Sequence, residues 1–141
     1  MILLDTNVIS EPMRPHPDPA VVAWLDRQSA DTLYLTTISL AEIRYGLSLL
    51  PEGSRRTQLR ERFEDELLPH FAGRIVGFNE AASSAYASLR STARRQGVSL
   101  SDFDALIAAV ATSTRLTMAT RDTTPFMAAG LMVINPWFAE V

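Results

Sequence analysis

Five short apolar segments, each bounded by polar residues, alternate with longer amphipathic stretches along the chain. Short runs rich in Val, Ile and Leu predict buried strands, and apolar residues repeated every three or four positions predict helices. The predicted strands span residues 1–4, 33–37, 75–78, 116–119 and 131–134. Strands that alternate with helices are typical of an α/β fold, so the pattern predicts a three-layer α/β/α sandwich around a central, mostly parallel sheet of about five strands.

Helices are predicted at residues 19–28, 39–50, 55–71 and 79–96, with a further helix that begins at Ser101 and a brief one at 126–129. The second and third of these form a helical hairpin outside the regular alternation of strands and helices. Tyr45 and Leu49 fall off the apolar stripe of the first hairpin helix, so this helix is apolar over more than one face. We expect the surplus apolar surface either to bind a partner protein or to pack on the rest of the domain.

The composition is that of an ordinary globular protein. With 141 residues, 47% of them hydrophobic, the chain fits a single domain over residues 1–141 with one substantial core. The absence of cysteine excludes disulfides and thiolate metal sites, and the two histidines alone cannot form a histidine-rich metal site. The longest apolar run, residues 105–111, is too short to span a bilayer, and no basic segment typical of a secretory signal precedes Asp5. We therefore expect a soluble, cytoplasmic protein.

A net charge of −3 argues against a nucleic-acid-binding protein, because such proteins usually carry a basic surface. Two features weaken this argument. All 13 basic residues are arginine, which is the better bidentate ligand for phosphate, although a GC-rich genome would produce the same bias. In addition, four of the 16 acids are candidates for a metal site, where bound cations would offset their charge.

Four acids are predicted to meet at one edge of the sheet. Asp5 follows the first strand, and Asp122 lies just beyond the fourth. Glu42 and Asp104 occupy the first turns of two predicted helices. Parallel strands joined by right-handed crossovers place the carboxyl ends of the strands and the N-termini of the crossover helices at the same edge. This is the edge at which open α/β sheets bind their ligands.

Each of the four acids also has a structural interpretation. Residues 39–42 fit a capping box and residues 101–104 its aspartate variant, while acids in a first helical turn suit the helix dipole. The acids after the strands fit cap or loop positions. Taken singly, each acid is better explained as structural. Taken together, four carboxylates at one edge repel one another, which a fold tolerates best when a cation lies among them.

The chemistry of such a cluster is that of a hard cation. Carboxylate oxygens suit Mg²⁺ or Mn²⁺, and a cluster without cysteine or histidine disfavours zinc. These ions hold phosphate oxygens and lower the pKa of bound water, so the cluster indicates metal-assisted hydrolysis of a phosphodiester. A phosphatase with an aspartyl nucleophile at Asp5 is disfavoured, because Asn7 stands where its motif requires a second acid. A dinucleotide-binding protein is excluded, since no glycine-rich turn follows the first strand.

Four segments carry a resemblance to a known family: MILLDTNVISEP at residues 1–12, FAGRI at 71–75, ATRDT at 119–123 and NPW at 135–137. With the four spaced acids, they resemble the PIN-domain ribonucleases, in particular the VapC-type toxins of bacterial toxin–antitoxin pairs and their FitB-like branch. The resemblance runs the length of the chain, and its first twelve residues are quite specific. It implies a PIN-like fold and a metal-dependent endoribonuclease that uses Mg²⁺ or Mn²⁺.

The resemblance also implies roles for individual residues. The implied catalytic, metal-binding acids are Asp5, Glu42, Asp104 and Asp122, and the implied supporting residues are Thr6 and Thr120. Asp102 is a second acid close to the third motif position. Asp104 fits that position better, because it alone is followed by the family's Ala-Leu-Ile-Ala-Ala.

Partners follow from the same resemblance. It implies a homodimer and a small antitoxin with a DNA-binding end, in a dimer of heterodimers or a larger assembly, with RNA as the substrate. Arg121, and Arg14 in the proline-rich loop, are the better candidates for contacts with RNA phosphates. The arginines within residues 55–62 are interleaved with the acids Glu61, Glu64, Asp65 and Glu66, so we expect a solvated helix face there. A catalytically silent scaffold that only regulates a DNA-binding antitoxin is the alternative, and the presence of all four acids counts against it.

Overall fold

The computed structural model describes residues 1–139 and contains a five-stranded sheet in the order β3-β2-β1-β4-β5. The strands are β1 (Ile2–Leu4), β2 (Leu33–Thr36), β3 (Ile75–Val76), β4 (Thr117–Ala119) and β5 (Val133–Ile134). Every neighbouring pair is parallel, so the sheet is wholly rather than mostly parallel. The predicted number and placement of the strands are confirmed, while β3 and β5 are shorter than the sequence pattern indicates.

Helices cover this sheet on both faces. The α-helices are α1 (Thr6–Ser10), α2 (Pro19–Arg27), α3 (Thr37–Ser48), α4 (Ser54–Glu61), α5 (Glu80–Arg95), α6 (Asp102–Thr114) and α7 (Thr123–Ala128). Three of the longer helices begin at a side-chain cap, in which Thr36, Asn79 or Ser101 accepts a backbone N–H from the third residue of the helix. The helix that the sequence predicts at residues 39–50 thus begins two residues earlier, directly after β2.

Strand β1 occupies the centre of the sheet because both of its faces are apolar. Leu3 and Leu4 have no exposed surface, and β1 pairs with β2 on one side and β4 on the other. Since successive side chains of a strand point to opposite faces, Leu3 packs in the hydrophobic cluster of α5 and α6. Leu4 packs in the second cluster, which includes Val8 and Trp24 from α1 and α2. The three-layer α/β/α sandwich is therefore confirmed.

The helix predicted over residues 55–71 is present, but it is not a regular α-helix along its whole length. After α4 the chain widens into a π-helical turn at Arg62–Leu67 and then tightens into a 3₁₀ turn at Leu68–Phe71. Pro69 explains the end of the helix, because it has no N–H to continue the ladder of hydrogen bonds. The π-helical turn contains Phe63, which is completely buried.

The hairpin of α3 and α4 leaves apolar surface uncovered. Tyr45 and Leu49 are each 66% exposed, so the off-stripe residues of α3 do not pack on their own domain. Among residues 1–139, no helix combines the length and the apolar character needed to cross a membrane.

Candidate active site

Asp5 is the most buried of the four acids and stands where β1 ends. Its backbone N–H donates to the carbonyl of Ala119, so the pairing of β1 with β4 continues to this residue (2.9 Å). One carboxylate oxygen accepts the N–H of Thr6 and the other accepts the hydroxyl of Thr120, each at 2.8 Å. The residue is only 4% exposed. Hydrogen bonds to both oxygens fix the orientation of this carboxylate at the edge of the sheet.

Burial raises the pKa of Asp5 from its ordinary value of 3.8 to about 6. The hydrogen bonds from Thr120 and Thr6 favour the charged form and lower the pKa, although less than burial raises it. The negative charges of Asp104 and Glu42 add to the increase. Three of the predicted acids are therefore close enough to affect one another electrostatically.

Glu42 is positioned by a set of hydroxyl groups at the start of α3. The Thr6 hydroxyl donates to one Glu42 oxygen at 2.8 Å, and the Ser39 hydroxyl lies 2.9 Å from the same Thr6 oxygen. Thr36 caps the helix by accepting the N–H of Ser39 at 3.0 Å. The capping-box interpretation of residues 39–42 is wrong, because the true cap lies three residues before Ser39. The Glu42 side chain does not cap α3 and instead accepts a hydrogen bond from Thr6 of α1.

Asp104 lies in the first turn of α6. Its backbone N–H donates to the hydroxyl of the capping Ser101 at 3.2 Å. Partial burial raises the pKa of Asp104, the negative charge of Asp122 raises it further, and the hydrogen bond with Ser101 opposes both. Asp102 on the same turn behaves differently, because its side chain is 86% exposed and forms a salt bridge with Arg90 at 3.0 Å. Asp104 and Asp102 therefore differ in burial and in the residues that they contact.

Asp122 follows β4 in an exposed loop. Its backbone N–H donates to the Thr120 hydroxyl at 3.1 Å, the same hydroxyl that binds Asp5. Its side chain makes no capping hydrogen bond to α7, although Asp122 precedes that helix. Asp122 therefore lies at the margin of the acidic cluster, coupled to it through Asp104 and Thr120.

A cleft of about 350 Å³ opens over these side chains. It is lined by Asp5, Thr6, Asn7, Ser10, Glu42 and Asp104. Three of the four predicted acids share this cleft, and Asp122 is not part of its lining. Sequence reasoning missed Asn7 and Ser10 as members of the site. The signal for Ser10 was its spacing, because residues three and four positions apart on a helix share a face and Ser10 follows Thr6 by four.

The donor set suits a hard divalent cation. Within residues 1–139 none of the four acids forms a salt bridge, so no arginine neutralises Asp5, although burial already disfavours its charge. Carboxylate and hydroxyl oxygens are the ligands that Mg²⁺ and Mn²⁺ prefer. In the described part of the chain, however, no three acidic or histidine side chains already stand close enough together to hold an ion.

Two arginines lie close in sequence to residues of this acidic edge. Arg121 is exposed, and its guanidinium lies 5.2 Å from the centre of the Trp137 ring. Asn135 donates to the backbone carbonyl of Arg121 at 3.4 Å, which links the loop after β4 to the loop after β5. Arg14 forms a salt bridge at 3.3 Å with Glu11, which is buried although charged. Sequence reasoning missed Glu11.

Comparison with known proteins places this geometry in context. A family model described as "PIN domain" matches residues 2–129. The chain is 50% identical over 137 residues to VapC ribonuclease Y4jK of Sinorhizobium fredii, covering 97% of this chain and 98% of that protein. It is 50% identical over 137 residues to Toxin FitB of Neisseria gonorrhoeae, covering 97% and 99%. The solved structure of FitAB bound to the IR36 DNA fragment contains a chain of 49% identity that superposes with a TM-score of 0.96, covering 100% of this chain and 99% of that one.

Proposed function

Because this chain belongs to the PIN-domain family, we propose that it is an endoribonuclease toxin of a toxin–antitoxin pair, which hydrolyses RNA phosphodiester bonds with Mg²⁺ or Mn²⁺. The observation that carries the proposal is the cleft in which Asp5, Glu42 and Asp104 converge without a basic partner. The names of two relatives, a VapC ribonuclease and Toxin FitB, support the same activity. A toxin of this kind acts on RNA in the cytoplasm.

The proposed roles follow from how each side chain is held. Thr6 and Thr120 fix the Asp5 carboxylate, and the Thr6 hydroxyl fixes Glu42 on the opposite side of the cleft. Asp104 projects from a capped and therefore rigid helix turn. We assign Asp5, Glu42, Asp104 and Asp122 as the acids that would hold the ion. A bound divalent ion would neutralise this cluster, bind phosphate oxygens and lower the pKa of a water molecule.

Substrate contacts are proposed for two arginines. Arg121 stands one residue before Asp122, and stacking on Trp137 restrains its guanidinium near the acidic edge. Arg14 carries the second guanidinium, which Glu11 orients. A guanidinium can bind a phosphate through two parallel hydrogen bonds, so either residue can hold the RNA backbone beside the acids.

We propose a cognate, DNA-binding antitoxin as the inhibitory partner, within an assembly built on a homodimer of this chain. The solved structure of FitAB bound to a DNA fragment supports the DNA-bound complex by similarity, and the homodimer remains a proposal. The exposed apolar residues Tyr45 of α3 and Leu49, the C-cap of this helix, are the surface that we assign to the antitoxin.

Cleavage of single-stranded RNA by the purified protein tests the proposed activity. We expect cleavage with Mg²⁺ or Mn²⁺ and none with EDTA. Asp5→Asn and Glu42→Gln keep the shape of the side chains but remove a charged ligand. Each should lower the cleavage rate by more than about 100-fold, since the loss of outer-shell partners alone costs roughly 10–100-fold.

Asp102→Asn is the matched control, because Asp102 lies on the same helix turn as Asp104 but points to Arg90. It should cleave at the wild-type rate. Wild-type cleavage by a folded Asp5→Asn protein would reject the proposed site. A protein without nuclease activity that still binds its antitoxin and operator DNA would instead be a silent scaffold.

A further inference from the structure

A second pocket, near the acidic cleft, is lined by positively charged side chains. It has a volume of about 320 Å³ and brings together Arg14, Arg55 and Arg62, with Met13, Gln58 and Leu59 between them. No carboxylate lines it. The sequence pattern predicts only a solvated helix face for the arginines of this helix, whereas the fold places two of them opposite the arginine of the proline-rich loop.

Helical geometry explains which arginines enter this pocket. Arg55 and Arg62 are seven positions apart, and residues separated by about two turns share one face of a helix. Leu59, between them on that face, packs against the hydrophobic cluster of Leu4 and so holds the helix against the domain. Arg60 lies on a different face and does not line the pocket. The grouping is therefore specific to two of the arginines on this helix.

The charge of this pocket is only partly compensated. Arg14 is paired with Glu11, but neither Arg55 nor Arg62 forms a salt bridge in the part of the chain that the structure describes. Glu64, an acid of the following turn, is engaged elsewhere, since Arg44 binds it through two hydrogen bonds at 2.8 and 3.1 Å. Like charges held together destabilise a fold. Arg55 and Arg62 therefore leave the pocket with uncompensated positive charge, which an anion would neutralise.

A short segment of the chain connects the arginine pocket to the acidic cleft. Ser10 lines the cleft and Met13 lines the arginine pocket. The 3₁₀ turn Glu11–Met13 joins them, and at a rise of about 2 Å per residue it separates them by roughly 6 Å. An RNA strand bound in the cleft must continue beyond it, and each further nucleotide brings another phosphate.

We propose that Arg14, Arg55 and Arg62 form a subsite for the phosphate backbone of the RNA strand that leaves the acidic cleft. This inference rests on the proposed ribonuclease function and adds a second contact region to it. Arginine forks suit phosphate oxygens, and basic grooves of this kind bind single strands without reading their sequence. The subsite therefore favours RNA that extends past the cleft over RNA that only fills it.

Charge reversal of the two uncompensated arginines tests the subsite. The test variant is Arg55→Glu/Arg62→Glu, and the control is Arg27→Glu/Arg60→Glu, which changes the net charge equally at exposed positions outside the pocket. Binding of a single-stranded RNA is measured in EDTA over a range of salt concentrations. Each lost phosphate contact lowers the salt slope by about 0.7, so the test variant should lose about 1.4 in slope and bind roughly 25-fold more weakly at 0.1 M salt. Cleavage of a short RNA that spans only the cleft should stay at the level of the control.

The outcomes separate this inference from the function on which it rests. Equal RNA binding by the test variant and the control would overturn the subsite while leaving wild-type cleavage intact. Weaker antitoxin binding with RNA binding equal to the control would also overturn it, and would assign the pocket to an acidic segment of the antitoxin. An inactive wild-type protein would reject the ribonuclease function itself. Arg55→Gln/Arg62→Gln, which removes the charges without adding acids, should weaken RNA binding in the same direction, and its melting temperature checks that the fold is kept.

Discussion

Burial makes the charged form of the Asp5 carboxylate unfavourable in the folded protein. Its pKa is raised from 3.8 to about 6 in the folded protein, mainly by burial. Between these two values the folded state binds more protons than the unfolded chain, so the free energy of unfolding falls as pH rises through this window. A difference of this size corresponds to about 3 kcal/mol. Urea unfolding in EDTA between pH 4 and pH 7 should show this decline.

Asp5→Asn separates that decline from other titrations. Its amide is neutral at every pH, and the Thr120 hydroxyl can turn to accept from it. The variant should lack most of the pH dependence and be more stable than wild type at pH 7 in EDTA. Asp102→Asn, an exposed control, should keep the wild-type slope. Millimolar Mn²⁺ should stabilise wild type but not Asp5→Asn, because only the wild-type site gains a bound ion. An unchanged pH slope in Asp5→Asn would place the titrating group elsewhere.

Thr120 is the residue on which the orientation of Asp5 depends. Thr120→Val keeps the side-chain shape but removes the hydroxyl that lowers the pKa of Asp5. We expect a loss of about 1–3 kcal/mol of stability at neutral pH and a pKa of Asp5 above that of wild type. Thr117→Val, in β4 three residues before Thr120, is the control because the Thr117 hydroxyl forms no hydrogen bond within residues 1–139. NMR titration of the Asp5 carboxyl measures the pKa, and a value equal to wild type would contradict this role.

Helix α3 carries the candidate site residue Glu42 on one face, and the apolar surface that we assign to the antitoxin lies on another. Tyr45→Glu and Leu49→Glu place charges on the exposed apolar surface. The buried residues Ile43 and Leu47 lie on the opposite side of the helix. Burying a charge at an interface without a partner is costly. Each substitution should weaken antitoxin binding by more than tenfold while RNA cleavage is kept. Ser48→Glu, at an exposed polar position of the same helix, should change neither, and unchanged antitoxin affinity in both apolar variants would remove this surface from the interface.

Elements that depend on neighbouring residues could be predicted from the sequence, whereas elements that depend on contacts between distant residues could not. The position of Asp5 follows from local pattern, because an apolar run that ends in an acid defines where β1 stops. The capped start of α6 at Ser101 is equally local. The π-helical turn after α4 depends on how Phe63 packs in the finished core, which periodicity does not encode. The grouping of Arg55 with Arg14 depends on α4 packing beside the proline-rich loop, which is distant in sequence, so the sequence alone indicates only a charged helix.

At the scale of the whole molecule, the two hydrophobic clusters share one strand. Leu3→Ala and Leu4→Ala each open a cavity on a different face of β1 and should each cost about 2–5 kcal/mol. Both tryptophans, Trp24 and Trp137, lie in the cluster of Leu4. If residues 1–141 form a single domain, Leu3→Ala should shift the fluorescence-detected and circular-dichroism transitions together. A fluorescence transition that Leu3→Ala leaves in place would mean that the two layers unfold separately.

The hydrogen bond between Thr120 and Asp5 also determines when the acidic cleft can form during synthesis of the chain. It joins residues 115 positions apart, so the first acid of the site is synthesised long before the hydroxyl that orients it. At about 5–20 residues per second, a ribosome needs roughly ten seconds to cover that interval. The central strand cannot pair with β4 until that strand has left the ribosome, so a nascent chain carries Asp5 without a formed cleft. The proposed nuclease site can therefore form only after nearly the whole chain has been translated.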